Sequence, residues 1–251
     1  MTHPVRIGIG GWSFAPWRET FYPEGLRHTD ELAYAASRLN SIEINATFYR
    51  TQTPQTFRGW AEAVPDGFVF SVKAARAAAI RTDPEAAAPA IERFLGSGLS
   101  ELGDRLGPIL WQLPAGRRFD EPAFSRFLDL LPPRLGRHEL RHAVEAAHES
   151  FASEASERLL RARNIALVML DKEGAAAPEE TPQTADFLYL RLQRTVDDQP
   201  AGYPGAALDG WAGRLRGWSR RHEVFAYVIA GAKHRNPAAA LALRERLEAG
   251  R

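Results

Sequence analysis

The sequence predicts an α/β fold in which eight parallel strands close into a (β/α)₈ TIM barrel, and three observations predict it. The chain is 251 residues long, the usual size of one such barrel. Short apolar, often β-branched segments alternate with longer segments of helical periodicity, the pattern of parallel strands joined by crossover helices. The turn Gly8-Ile9-Gly10-Gly11 is not the Gly-x-Gly-x-x-Gly fingerprint of an open dinucleotide-binding sheet, and no acidic residue ends the second strand on a ribose-binding pattern.

Taken in order, a first strand over residues 5–9 runs into that glycine turn, and a helix over 29–39 follows, with Thr29 or Asp30 as its cap. The second strand, 41–45, alternates Ile42 and Ile44 with Glu43 and Asn45; a helix opens at Pro54 and runs to 64. The third strand spans 68–73, and Asp83 before Pro84 starts a helix read to residue 102. The fourth strand, 108–113, precedes a helix over 121–131 that Asp120 introduces ahead of Glu121-Pro122. A fifth strand, 142–146, pairs with a helix over 150–163, and a sixth strand covers 165–170. The link from the sixth to the seventh strand is irregular: 174–183 is rich in Ala, Pro and Glu and reads as a mobile loop. The seventh strand, 187–192, the helix 208–221, the eighth strand 223–229 and a last helix 236–249 complete the series. No fixed-period repeat and no interdomain linker interrupts it, so residues 1–251 are read as a single domain.

Composition removes several classes of function. Thirty-two basic against 31 acidic residues give a net charge of +1, which supplies no overall field for holding polyanions and makes nucleic acid an unfavoured partner. The basic segments 214–221 and 233–235 read as solvated helix face and loop, without the aromatic interleaving that stacks bases. A phosphate contact at Lys233, or at the helix start near Asn236, is the more plausible use of that end. There is no cysteine, so disulfides, thiolate chemistry and Cys-based zinc sites are excluded. No run reaches the ~18 apolar residues that span a bilayer, and the N-terminus lacks a leader pattern, so a cytoplasmic chain with no membrane partner is expected.

The candidate chemistry follows from strand alternation. With Ile42 and Ile44 facing outward to the helices, Glu43 and Asn45 face into the barrel. By the same reasoning Ser71 and Lys73, Glu145, and Tyr189 and Arg191 point inward. Two acids and two bases then converge at the C-terminal ends of the strands, where barrel enzymes keep their sites. Desolvated charges are costly unless paired, so Glu43, Lys73, Glu145 and Arg191 are expected in one hydrogen-bonded cluster. Read functionally, Glu43, Lys73 and Glu145 are the catalytic candidates, the acids as general acid/base and Lys73 as cation or base, and Arg191 clamps an anionic ligand. Read structurally, the four satisfy one another in a polar core. Around them Trp12, Asn45, Thr47, Tyr49, Gln112 and His148 are candidate ligand contacts, with lid packing the competing role for Trp12 and Tyr49. Trp17, Trp60 and Trp111 read as packing residues.

Several segments are also specific enough to carry a resemblance. Gly8-Ile9-Gly10-Gly11-Trp12-Ser13, Phe21-Tyr22-Pro23-Glu24-Gly25-Leu26, Ile42-Glu43-Ile44-Asn45-Ala46-Thr47-Phe48-Tyr49-Arg50 and Pro65-Asp66-Gly67-Phe68 with Ser71-Val72-Lys73-Ala74 closely resemble the YecE-like family, also called DUF72. The match is dense over the first 75 residues and thinner through Gln112-Leu113-Pro114, Val144-Glu145 and Tyr189-Leu190-Arg191-Leu192. The resemblance implies a TIM barrel and no established reaction. The chain departs from the family after the fifth strand, where Val-Glu-Phe-Arg-His-Pro-Ser-Trp becomes Val144-Glu145-Ala146-Ala147-His148-Glu149-Ser150-Phe151. It departs after the seventh, where His-Gly becomes Gln193-Arg194, and after the eighth, where an Asn/Asp-rich stretch becomes Ile229-Ala230-Gly231-Ala232-Lys233. In the third-strand loop a usual Pro and His are replaced at or near Ala75 and Arg81.

Three functional readings remain. The first is an enzyme acting on a small polar or anionic metabolite by acid/base chemistry, with no organic cofactor. The second is a non-catalytic barrel that binds a small ligand. The third is a divalent-metal isomerase or nuclease-like barrel, with His148 and Asp171 joining Glu43 or Glu145 as ligands; with a single well-placed histidine it has the thinnest donor set, and no metal is assigned. Oligomeric state is not legible.

Overall fold

The structure, a computed structural model, describes residues 2–81, 83–174 and 181–250. Its parallel strands are β1 (Val5–Gly10), β2 (Ser41–Ile44), β3 (Val69–Lys73), β4 (Leu106–Gln112), β5 (His142–Glu145), β6, β7 (Phe187–Leu192) and β8 (Glu223–Val228). Strand β6 comes in two pieces, Ala166–Leu167 on β5 and Met169–Asp171 on β7. Along the sheet the order runs from the first piece of β6 through β5, β4, β3, β2, β1, β8 and β7 to the second piece. Both ends of the sheet are therefore the same stretch of chain, and the ring closes there. This is the predicted (β/α)₈ barrel.

Alternation divides the core in two. The outward side chains of the strands, among them Ile42, Ile44, Phe70, Val72 and Trp111, join the helices in one large buried cluster. The inward ones, including Val69, Leu110, Phe187, Phe225, Tyr189 and Tyr227, form a second cluster that fills the interior, so the barrel is a packed core and not a pore. Strand β1 adds little to this interior, because it approaches β2 too closely. A Cβ on Gly8 would lie 2.2 Å from the Ser41 carbonyl oxygen. At the N-terminal mouth, Glu223 accepts from Arg6 at 3.0 Å and from Arg141 at 2.7 Å, closing that end with ion pairs.

The helices of eight residues or more are α1 (Glu31–Arg38), α2 (Pro54–Glu62), α3 (Pro84–Leu95), α4 (Glu121–Asp129), α5 (Glu154–Arg161), α6 (Gly205–Trp218) and α7 (Asn236–Ala249). Asp83 and Asp120 act as N-caps, accepting from the backbone N–H of Glu85 and of Ala123, as the Asp and Pro placement predicts. Several helix details differ from expectation; the helix read over 208–221, for one, spans Gly205–Trp218. Asp30 stands at the N-cap of α1 without capping it, because its carboxylate is held by Arg27. The helix read to residue 102 stops at Leu95, since Gly96 and the left-handed Gly98 end it, and a 3₁₀ segment, Leu99–Arg105, follows. The helix read from residue 150 begins at Glu154, after a 3₁₀ turn at Glu149–Phe151. Most of the loop read over 174–183 lies outside the described residues. Among the described residues no helix is long and apolar enough to cross a membrane.

On the outer face of β5, Trp111 Nε1 donates to His142 Nδ1 at 3.0 Å, and His142 Nε2 lies 2.8 Å from the Pro132 carbonyl. The indole can only donate, so Nδ1 accepts and the proton sits on Nε2. Burial pushes the imidazole pKa down to about 4.

Candidate functional site

Strands β2, β3, β5 and β7 each place a charged side chain at the C-terminal end of the interior, and the four meet. Arg191 of β7 lies between the two acids. Its Nη2 donates to Glu43 at 3.1 Å, and its Nη1 donates to Glu145 in a short hydrogen bond. Each carboxylate takes a neutral donor as well: Tyr189 O–H reaches Glu43 at 2.7 Å, and Gln112 Nε2 reaches Glu145 at 2.7 Å. Tyr189 in turn lies 2.7 Å from Ser71 Oγ, which also contacts the Pro108 carbonyl at 2.9 Å. The network thus runs inward from β2 and β5 through β7 to β3 and β4.

Burial sets the electrostatics. Glu43 is 0% exposed, Arg191 3%, Glu145 6% and Lys73 9%. For Arg191 desolvation opposes the charged form, yet Glu43 and Glu145 together outweigh it and hold the guanidinium above its usual pKa. Tyr189 is driven well above its ordinary value, first by burial and then by the charge of Glu43, so it remains a hydrogen-bond donor.

Lys73 differs from the other three. Among the described residues its ammonium has no hydrogen-bond or ion-pair partner; it rests 4.1 Å over the centroid of the Phe48 ring. Burial, followed by the repulsion of Arg191, lowers its pKa, with Glu43 and Glu145 pulling the other way. The cluster therefore holds three charges paired with one another, Arg191 Nε alone being buried without a hydrogen-bond partner among the described residues, and one charge that is unpaired.

The remaining candidates separate into those near this cluster and those turned away from it. Gln112 belongs to it. Asn45 stands at the N-cap position of the short helix Ala46–Tyr49 above β2 without a side-chain capping bond, its Nδ2 close to Gly10 and 3.5 Å from the Glu43 carbonyl. Thr47 is buried, and its hydroxyl donates to the Lys73 carbonyl at 2.7 Å, which ties that helix to β3. Tyr49, by contrast, is 81% exposed. Trp12 packs edge-on against Trp60 of α2, with ring centroids 5.3 Å apart, and against Phe70 on the outer face of β3. His148 caps the turn at Glu149–Phe151, its Nδ1 accepting from the Ser150 N–H at 3.1 Å. It lines a separate cavity of about 380 Å³ beside Leu170 and Phe151. Phe48 is not among the sequence candidates; its place directly after the second strand, within the segment that carries the family resemblance, is the signal that points to it. Lys233 also stands on aromatic rings, 4.1 Å over Phe14, and the Asn236 side chain is taken by Thr195.

Among the described residues no three His, Asp or Glu side chains converge as a metal ion requires. Asp171 is held by Tyr203 O–H at 2.8 Å, His148 is occupied in its cap, and Arg191 fills the space between Glu43 and Glu145.

The sequence profile of the family described as "Protein of unknown function DUF72" matches residues 6–251. No curated protein matches the chain. Among solved structures it is similar to a DUF72 family protein from Thermotoga maritima MSB8, at 22% identity over 98% of this chain and 100% of that one, with a TM-score of 0.77. It is similar also to a DUF72 family protein from Enterococcus faecalis V583, at 14% identity over 97% and 95%, with a TM-score of 0.76. A xylose isomerase domain containing protein from Salmonella typhimurium LT2 shares 13% identity over 99% and 97%, with a TM-score of 0.57. At these identities the likeness is one of fold. Matched by the family profile from its first strand to its last residue, the chain belongs to the DUF72 family.

Proposed function

We propose that the chain takes a small polar or anionic metabolite at the C-terminal mouth of the barrel and acts on it by acid/base chemistry. The observation that carries this reading is the state of Lys73: a largely buried ammonium of lowered pKa with no hydrogen-bonded ion-pair partner among the described residues, beside three charges that pair with one another. A purely structural charge cluster gains most when every member is paired, so the unpaired cation is the group left for a guest. A lysine with lowered pKa gives up its proton more readily than an ordinary one, which suits it to proton transfer as well as to anion contact. In this reading Glu145, at the less sealed side of the cluster, is the carboxylate that exchanges the proton. Glu43, fully buried, holds Arg191 in place.

The test is a thermal-shift screen of small carboxylates and sugar acids, followed by calorimetric titration and by NMR detection of turnover on any hit. The expected hit stabilises the wild type, binds Lys73→Met at least about tenfold more weakly and is chemically converted. A hit bound through Lys73 but never converted replaces this reading with that of a ligand-binding barrel. Binding that is indifferent to Lys73→Met refutes both.

A further inference from the structure

The loop that leaves β4 carries a second group of charges that the Lys73 reading does not use. Arg117, in that loop, is 7% exposed. Among the described residues its guanidinium meets no carboxylate within ion-pair range. Among those residues its one side-chain hydrogen bond, from Nη1 to the Arg81 carbonyl, is long at 3.3 Å, and the guanidinium lies 5.3 Å from the centroid of the Phe127 ring. Arg118 and Arg126, both exposed and without an ion-pair partner among the described residues, line the same cavity of about 470 Å³. Asp83 and Asp120 line it too. Each already serves as an N-cap, accepting from Glu85 N–H at 3.1 Å and from Ala123 N–H at 2.8 Å. The cavity thus sits between the N-terminal turns of α3 and α4, with three arginines set against two engaged aspartates.

A buried cation without a counter-ion is an uncompensated desolvation cost. Burial holds the Arg117 pKa below the ordinary arginine value, and the charge of Asp120 opposes this only in part. An anion entering the cavity would offset that cost and meet preorganised guanidinium donors.

We propose that this cavity is an anion site for the phosphoryl group of a small phosphorylated molecule, with Arg117 as the inner contact and Arg118 and Arg126 closing on it from the solvent side. A phosphoryl group, with three terminal oxygens and up to two negative charges, offers three converging guanidinium groups more acceptor sites and more charge than a single carboxylate. The volume falls within the ~300–1,000 Å³ of small-molecule pockets, leaving room for the body of a metabolite beyond the phosphoryl group. The site stands independently of the Lys73 reading.

The experiment is isothermal titration of the full chain, at constant ionic strength, with glucose 6-phosphate and with inorganic phosphate. Saturable binding is expected, tighter for the sugar phosphate. Arg117→Gln weakens it by about tenfold or more, and Lys73→Met leaves it unchanged. Because Arg117 is buried, the exposed pair Arg118→Ala and Arg126→Ala serves as a second variant, which keeps the wild-type unfolding transition and weakens binding about fivefold. The proposal is overturned by the absence of saturable binding, by binding undiminished in the folded variants, by equal affinity for inorganic phosphate, or by loss of binding in Lys73→Met.

Discussion

Replacing Arg191 with Met removes the cation that is hydrogen-bonded to both carboxylates. In the wild type Arg191 donates to Glu43 at 3.1 Å and to Glu145 in a shorter bond, and all three residues are at most 6% exposed. In the variant Glu43 keeps only Tyr189 and Glu145 keeps only Gln112. Removing one partner of a buried ion pair costs about 3–5 kcal/mol, chiefly because the remaining charge is left uncompensated. Here one substitution strands two charges, so a loss of at least about 3 kcal/mol is expected, a large share of the ~5–15 kcal/mol that a domain has in total. Urea unfolding followed by tryptophan fluorescence and far-UV circular dichroism measures it. Adding Glu43→Gln and Glu145→Gln removes the stranded charges while conserving volume, and this triple variant should recover most of the loss. A destabilisation below about 1 kcal/mol for Arg191→Met, the scale of an exposed pair, would refute the view that the cluster is a desolvated network. So would a triple variant no more stable than the single one.

Three further outcomes are expected. His142 titrates at about 4 in the fold instead of 6.5, so the unfolded chain binds its proton first. Its contribution is full above pH ~6.5 and falls as the pH drops through that window, costing about 2 kcal/mol by pH ~5. His142→Gln should remove that component, read as the difference between the two stability profiles against pH. Gly8→Ala would put a methyl group 2.2 Å from the Ser41 carbonyl oxygen; a loss of about 1–3 kcal/mol in thermal unfolding is expected, and a neutral result would contradict the close approach of β1 to β2. Tyr49→Ala, at a position 81% exposed, should leave stability within about 0.5 kcal/mol, so any weakening of ligand binding by this variant reports direct contact.

The barrel was legible because its strands alternate cleanly: the period of two in 41–45 and 187–192 told which side chains point inward, and Glu43, Glu145, Arg191 and Lys73 do share one interior layer. What the pattern could not carry was partner choice. Alternation does not say that Arg191 would be consumed by both acids and Lys73 left on an aromatic ring, since that depends on chain lengths and on the position of Phe48 in the short helix above β2. Trp12 was ambiguous for a related reason. A Gly-rich turn leaves its direction free, and only the nearby Trp60 and Phe70 turn the indole toward the helix layer. The break at Val168 was invisible, because an apolar run reads the same whether it pairs with one neighbour or passes from β5 to β7. Arg117 went unnoticed among the many arginines, as nothing local in sequence says which of them will be covered.

The strand that joins the two ends of the sheet is also the thinnest link in the ring. Two of its residues engage β5 and three engage β7, and among the described residues no helix buttresses the step from β6 to β7. Backbone amides along Ala166–Asp171 should accordingly exchange with deuterium through openings of lower free energy than those along Glu223–Val228, which is flanked by long strands on both sides. The barrel would then breathe at this seam more readily than at β8, giving its buried ionic layer a second, intermittent route to water.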